Sequence, residues 1–196
     1  MKLEHIILAG DSAGGHLSTS VAMLAILRGF RKPDSIFAHY PVLFADFKAF
    51  PSLLLTIDEW LLSETFMSCV FGCFMRNGGN PKINPILSPF VAPDTLLNHL
   101  PRMYMTCCQA DPLRDQSVGF LERLLKADYG TTPRRCKLFY MKEYVHGHCS
   151  FDFKMGVTEY AKATKIIIEG FKELFEFAEN PNDPRLKTDV HLSQAN

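Results

Sequence analysis

Apolar and polar positions fall into alternating blocks along the chain. His5–Gly10 (HIILAG) is a short apolar run ending at glycine, with no polar alternation, the pattern of a strand covered on both faces. Leu17 to about Arg28 (LSTSVAMLAILR) reads as a buried helix stopped near Gly29. Ser35–Tyr40 (SIFAHY) predicts a second strand, ended by Pro41. Arg102–Cys107 (RMYMTC) predicts a third and Cys136–Met141 (CKLFYM) a fourth. Between the last two, about Asp115–Asp128 predicts a helix with Val118, Leu121, Leu124 and Leu125 on one face. A final helix, about Thr158–Phe177, carries Ile166, Ile167, Phe171, Leu174 and Phe175. This succession predicts an α/β fold, a mainly parallel sheet with helices on both faces.

Two stretches break the rhythm. About Phe47–Asn80 is helical and apolar, with the single tryptophan, Trp60, and four phenylalanines from Phe50 to Phe74. It is too long for a plain connection and predicts a helical excursion over one end of the sheet. As a cap it would cover a substrate; as a plain core helix it would show the same apolar stripe. Asn180–Asn196 (NPNDPRLKTDVHLSQAN) loses periodicity and reads as a flexible tail, leaving residues 1–179 as one domain with the excursion inserted at about 47–80.

Charge and cysteine content narrow the partners. Lys+Arg and Asp+Glu each number 21 among 196 residues, so no cationic excess exists to neutralise nucleic-acid phosphates. No apolar run approaches the roughly 18–20 residues that span a bilayer; the most apolar stretch is Cys69–Met75. The N-terminus lacks a secretory pattern, so the six cysteines read as reduced cytoplasmic thiols. Cys69 and Cys73 sit one helical turn apart without a second pair at ligand spacing, so packing is expected and a metal is not. Cys107 and Cys108 are adjacent on a strand and should point to opposite faces.

The chemistry concentrates in Gly10-Asp11-Ser12-Ala13-Gly14-Gly15. An apolar strand runs into this segment and an apolar helix runs out. In that context Gly10-x-Ser12-x-Gly14 reads as a nucleophile elbow, a strained turn that lifts the Ser12 hydroxyl above the sheet end. The same turn aims the Ala13 amide, at a helix N-terminus, toward a developing oxyanion. A glycine-rich phosphate loop is the competing reading, but neither the P-loop lysine nor G-x-G-x-x-G is present. A serine nucleophile needs a base and an orienting carboxylate. Asp111 follows the third strand and His146 the fourth, at the sheet edge of the elbow. Asp115, at a helix start, competes as an N-cap, and His148 competes as base; Gly147 directly after His146 favours a tight loop presenting His146. His5, His16, His39, His99 and His191 read as solvated or core histidines.

With these motifs the sequence resembles the hormone-sensitive lipase family of α/β-hydrolases, its eukaryotic branch in particular. The resemblance rests on GDSAGG at Gly10–Gly15, DPLRD at Asp111–Asp115 and HG at His146–Gly147. NPILSPFVAPDTLLNHLPRMYM at Asn84–Met105 adds to it, and the likeness runs from about residue 4 to about 177. It implies an α/β-hydrolase fold and hydrolysis of carboxylic esters, acylglycerols or other lipid esters among them, without metal or organic cofactor. It implies Ser12 as nucleophile, Asp111 as orienting acid and His146 as general base. The family carries an HGGG loop well ahead of its elbow, and nine residues precede Gly10 here. The chain is therefore expected to be the C-terminal part of a larger catalytic domain, associating with an N-terminal portion or with itself through the outer edge of the first strand. An impaired hydrolase half acting as a binding module is the other expectation.

Overall fold

The computed structural model describes residues 4–57, 59, 61–127, 136–148, 157–180, 183 and 192–195. Among the described residues five parallel strands form one sheet in the order of the sequence: β1 (Ile7–Asp11), β2 (Ser35–His39), β3 (Arg102–Ala110), β4 (Cys136–Val145) and β5 (Leu192–Ala195). Helices packed on both faces bury β2 and most of β3 and β4, which explains their apolar runs, whereas β1 at the end of the sheet is half-buried to exposed. β2 is buried at every position.

The helices α1 (Ala13–Leu27), α3 (Asp94–Leu97) and α4 (Arg114–Ala127) cover one face. Ala22 and Met23 of α1 and Phe120, Leu121 and Leu124 of α4 gather there with Ile36, Ala38, Met103, Met105 and Leu138. The helix α5 (Val157–Glu179) covers the other face, where Ala163, Leu174 and Phe177 meet Phe37, Tyr104, Phe139 and Met141. Burying each of the Leu, Ile, Met and Phe side chains among these stabilises by roughly 1.5–3 kcal/mol. As the two-fold pleat requires, Cys107 lies in the first cluster and Cys108 in the second.

Several boundaries differ from the sequence expectation. α1 begins at Ala13, not Leu17, because the turn at Ser12 leads directly into helix; Gly14 and Gly15 are helical despite poor propensity. α1 ends at Leu27 and is closed off two residues on by Gly29, whose positive φ of 66° lets the Gly29 and Phe30 amides reach back to Ile26 and Ala25 carbonyls. β3 and β4 continue past Cys107 and Met141, with a register shift between Cys108 and Ala110 and a final pair Ala110↔Val145. β5 falls where a flexible tail is expected: Leu192–Ala195 pairs with Leu138–Met141. Its four residues hold one large apolar side chain, so the strand follows from pairing with β4 and not from local pattern.

The excursion is helical. It holds 3-10 turns at Phe47–Ala49 and Pro51–Ile57 and then α2 (Glu64–Phe74), capped by the Ser63 hydroxyl, which accepts the Phe66 N–H at 3.4 Å. It is not a plain core helix: within α2 Met67 alone is buried, while Phe66, Val70 and Phe74 are exposed. Cys69 and Cys73 are exposed as well, against the expectation of packing, because α2 turns that face to solvent. Trp60 and His191 lie outside the described residues. The inner side of the excursion gathers Leu53, Leu61, Leu62, Met67 and Phe71 on Val42 and Leu113.

Candidate active site

Three connections leave the C-terminal ends of β1, β3 and β4 and meet. At the first, Ser12 has φ 52° and ψ −114°, a strained conformation for a side chain with a Cβ. It is held by backbone bonds to the end of β2 and the segment beyond. The Ser12 N–H donates to the His39 carbonyl at 2.9 Å, and the Ser12 carbonyl accepts from Val42 N and His16 N, each at 3.2 Å. Gly10 is a steric requirement, since a Cβ there would stand 2.3 Å from the Gly14 carbonyl carbon. At Gly15 a Cβ would stand 2.7 Å from Pro41 Cβ, whereas at Gly14 it would meet only Asp11 Oδ1, at 3.8 Å. Asp11 is exposed beside the turn, and Ala13 opens α1, where N–H groups have no intrahelical acceptor.

The pairing of Ala110 with Val145 places the next residues, Asp111 and His146, on adjoining strand ends. Asp111 is fully buried and its Oδ1 accepts the Leu113 N–H at 2.7 Å. Its Oδ2 lies 2.9 Å from His146 Nδ1, and His146 Nε2 lies 2.9 Å from Ser12 Oγ. A carboxylate at Nδ1 selects the tautomer that carries its proton there, which leaves Nε2 to accept from the Ser12 hydroxyl. Gly147, at φ 75°, makes the turn that presents His146, and the Tyr40 ring packs against the imidazole with centroids 4.7 Å apart.

The competing residues occupy other places. His148 turns away from Ser12: its Nδ1 lies 3.3 Å from Cys108 Sγ and 3.3 Å from the Val145 carbonyl, and its ring packs on Tyr144 and Tyr40. Burial lowers its pKa to about 4, so it stays neutral at pH 7. Asp115 instead accepts the Ser52 N–H at 2.8 Å and the Arg114 Nε–H at 2.9 Å. His39, whose ring packs tilted against Phe37, is likewise lowered to about 4 by burial first and by His148 second. His16 is buried between the Leu87 carbonyl and the Phe74 ring, which ties the end of α2 to the start of α1. Burial, and then Asp111, pushes the Cys107 thiol up to about 12.

Sequence reasoning did not single out Tyr40, Val42 or Ser52. A tyrosine before Pro41 at a strand's C-terminal end is a signal for the first, since open parallel sheets bind ligands at that edge; Val42 and Ser52 carry none. Among the described residues no group of three or more His, Cys, Asp or Glu side chains is placed to hold a metal ion, and no helix is long and apolar enough to cross a membrane.

A strained serine between strand and helix, a histidine on its hydroxyl and a buried carboxylate behind, on a parallel sheet, define an α/β-hydrolase. A family model described as alpha/beta hydrolase fold (Abhydrolase_3) matches residues 1–149, and the chain belongs to this family. It is similar to mouse (Mus musculus) hormone-sensitive lipase, 47% identical over 68 residues that make up 34% of this chain and 9% of the relative. It is also similar to carboxylesterase NlhH of Mycobacterium tuberculosis, 29% identical over 151 residues, 76% of this chain and 44% of the relative. Among solved structures it is similar to carboxyl esterase 2 of the fungus Tuber melanosporum. There the TM-score is 0.74 at 25% identity, covering 86% of this chain and 54% of that one. The chain thus spans well under two thirds of the relatives it matches.

Proposed function

We propose that the chain carries the nucleophile, base and acid of a serine carboxylic-ester hydrolase. The observation that carries the reading is the continuous line Asp111–His146–Ser12, with both links at 2.9 Å and Ser12 held in a strained turn. Ser12 Oγ attacks the ester carbonyl while His146 Nε2 takes its proton. Asp111 stabilises the imidazolium, and the Ala13 N–H donates to the oxyanion. Collapse expels the alcohol, which takes the proton from His146, and leaves an acyl group on Ser12. Water, deprotonated by the same imidazole, then releases the carboxylic acid and restores the hydroxyl. No step calls for a metal or organic cofactor.

Acylglycerols or other lipid esters are the proposed substrates. The likeness to hormone-sensitive lipase supports this, as does the apolar inner side of the excursion, which converges on Val42 and Leu113 beside Ser12 and Asp111. Free, exposed Cys69 and Cys73 fit a reducing compartment such as the cytoplasm. The test is covalent. A fluorophosphonate ester should label Ser12 stoichiometrically, with Ser12→Ala and His146→Ala unlabelled. Equal labelling of wild type and Ser12→Ala would refute the assignment.

A further inference from the structure

The first turn of α4 stands directly behind Asp111 and reaches out to the excursion. The Ser52 N–H donates to Asp115 Oδ2 at 2.8 Å, the Ser52 hydroxyl donates to the Pro112 carbonyl at 2.6 Å, and the Asp115 N–H reaches the Ser52 hydroxyl at 3.4 Å. Arg114 closes the arrangement, donating from Nε to Asp115 Oδ1 at 2.9 Å and from Nη1 to the Gln109 carbonyl at 3.1 Å. Ser52 is almost wholly buried, at 1% exposure. A helix-capping role for Asp115 would need only α4's own amides. Here its carboxylate holds an amide 63 residues away instead.

The neighbouring side chain repeats the pattern. Gln116 is fully buried, and its Oε1 accepts both the Leu43 and the Phe44 N–H at 2.9 Å. Those amides follow Val42, whose own N–H holds the Ser12 carbonyl at 3.2 Å. Two successive side chains of α4 therefore fasten the start of the excursion and the segment that leads into it. The apolar residues so placed, Leu53, Leu61, Leu62, Met67 and Phe71, pack on Val42 and Leu113.

We propose that Asp115 and Ser52 form a clasp that holds the excursion against the loop of Asp111, making Asp115 a positioning residue for substrate binding and not for the chemical step. In its kinetic part the proposal rests on the ester-hydrolase reading; in its structural part it does not. A carboxylate accepting a buried N–H makes a charge-assisted bond, and asparagine keeps an acceptor where alanine keeps none.

The experiment compares wild type, Asp115→Ala, Asp115→Asn and Ser52→Ala in the full chain. The first readout is hydrogen–deuterium exchange of peptides spanning 51–57. The second is kcat and KM for p-nitrophenyl butyrate and for a longer acyl ester. Asp115→Ala should exchange at least about tenfold faster at 51–57, with β1 and α1 unchanged. It should raise KM for the longer ester about tenfold, the factor that one lost charge-assisted hydrogen bond corresponds to, while kcat stays within about threefold. Asp115→Asn should recover most of both effects, and Ser52→Ala should follow Asp115→Ala in direction. Unchanged exchange at 51–57 in both Asp115→Ala and Ser52→Ala would overturn the clasp. A fall in kcat at constant KM would overturn its role in binding. If wild type neither turns over esters nor takes a fluorophosphonate label, the hydrolase reading fails, and the exchange data alone decide the clasp.

Discussion

Gly10 and Gly14 occupy equivalent places on either side of Ser12 in the motif, yet the structure gives them opposite tolerances. A methyl group on Gly10 would lie 2.3 Å from the Gly14 carbonyl carbon and 2.4 Å from its oxygen, both backbone atoms of the first turn of α1. No rotamer change relieves that contact; strand and helix must move apart, and the Ser12 turn sits between them. Overpacking by one carbon costs about 1–3 kcal/mol where side chains can adjust, so a collision with backbone should cost about 3 kcal/mol or more. At Gly14 the added methyl meets only Asp11 Oδ1 at 3.8 Å, an ordinary contact. Alanine favours helix over glycine by up to about 1 kcal/mol, so Gly14→Ala should be neutral or stabilising. Urea unfolding followed by circular dichroism checks both. With a slope near 2 kcal/mol/M, Gly10→Ala should lower the midpoint by about 1.5 M, and Gly14→Ala should leave it unchanged or raise it by up to about 0.5 M. Equal midpoints for the two variants would refute the steric account of the elbow.

Acid should act through His39 and, in the same window, through His148. The folded pKa of His39, about 4, lies below the ordinary 6.5, so the unfolded chain binds the extra proton first; the stability is present above 6.5 and is lost as pH falls toward 4. The full contribution of His39 is about 3 kcal/mol, and His39→Phe should reduce the slope of the urea-midpoint-versus-pH curve in that window to the part that His148 retains, while an unaltered slope would contradict it. Iodoacetamide at pH 8 should modify exposed Cys69 and Cys73 and spare Cys107, whose thiol is pushed up to about 12; mass spectrometry showing equal modification would oppose this. Within the site, Asp111→Asn should slow ester turnover by about 10³-fold or more and Asp115→Asn far less, the reverse order arguing against Asp111. Ser12→Ala and His146→Ala should fall to a common floor.

Much of the framework was legible because it rests on local pattern. SIFAHY, RMYMTC and CKLFYM run apolar because helices cover both faces of these strands; HIILAG shows the same pattern, although β1 is only half-buried and Ala9 is exposed. The elbow was legible for a different reason: a turn with Ser12 at positive φ tolerates only small neighbours, so Gly10 and Gly15 had to be written into the sequence. What stayed hidden depends on distant partners. The extension of β3 to Ala110 and of β4 to Val145 comes from their mutual pairing, although Gln109, Lys142 and Glu143 are polar. Ser52, Gln116 and Tyr40 matter through contacts across 60 residues or more (Ser52 with Pro112, Gln116 with Leu43, Tyr40 with Thr106), which no window along the chain contains. The sequence leaves His39 as either a solvated or a core histidine, and only the packing of Phe37 and Phe171 around it identifies it as core.

The sheet's sequential strand order has a consequence for how this architecture can diverge. Neighbouring strands are also consecutive, and the whole excursion is contained in one closure: partners on β2 and β3 are separated by 67 positions, whereas the bond between Ile6 and Asp34, beside the first pair, spans 28. Loop-closure entropy grows only with the logarithm of length, so the longer closure costs about 0.8 kcal/mol more than the shorter one. The excursion can therefore gain or lose residues at little thermodynamic expense while the register of β2 on β3, and with it the seats of Ser12, Asp111 and His146, stays fixed. Grafting a foreign segment between Ala45 and Ser88 should exchange the surroundings of the reacting group and leave the scaffold's melting behaviour nearly intact, provided that the new segment supplies its own bonds to Asp115 and His16, since the Gln116 bonds to Leu43 and Phe44 lie outside it.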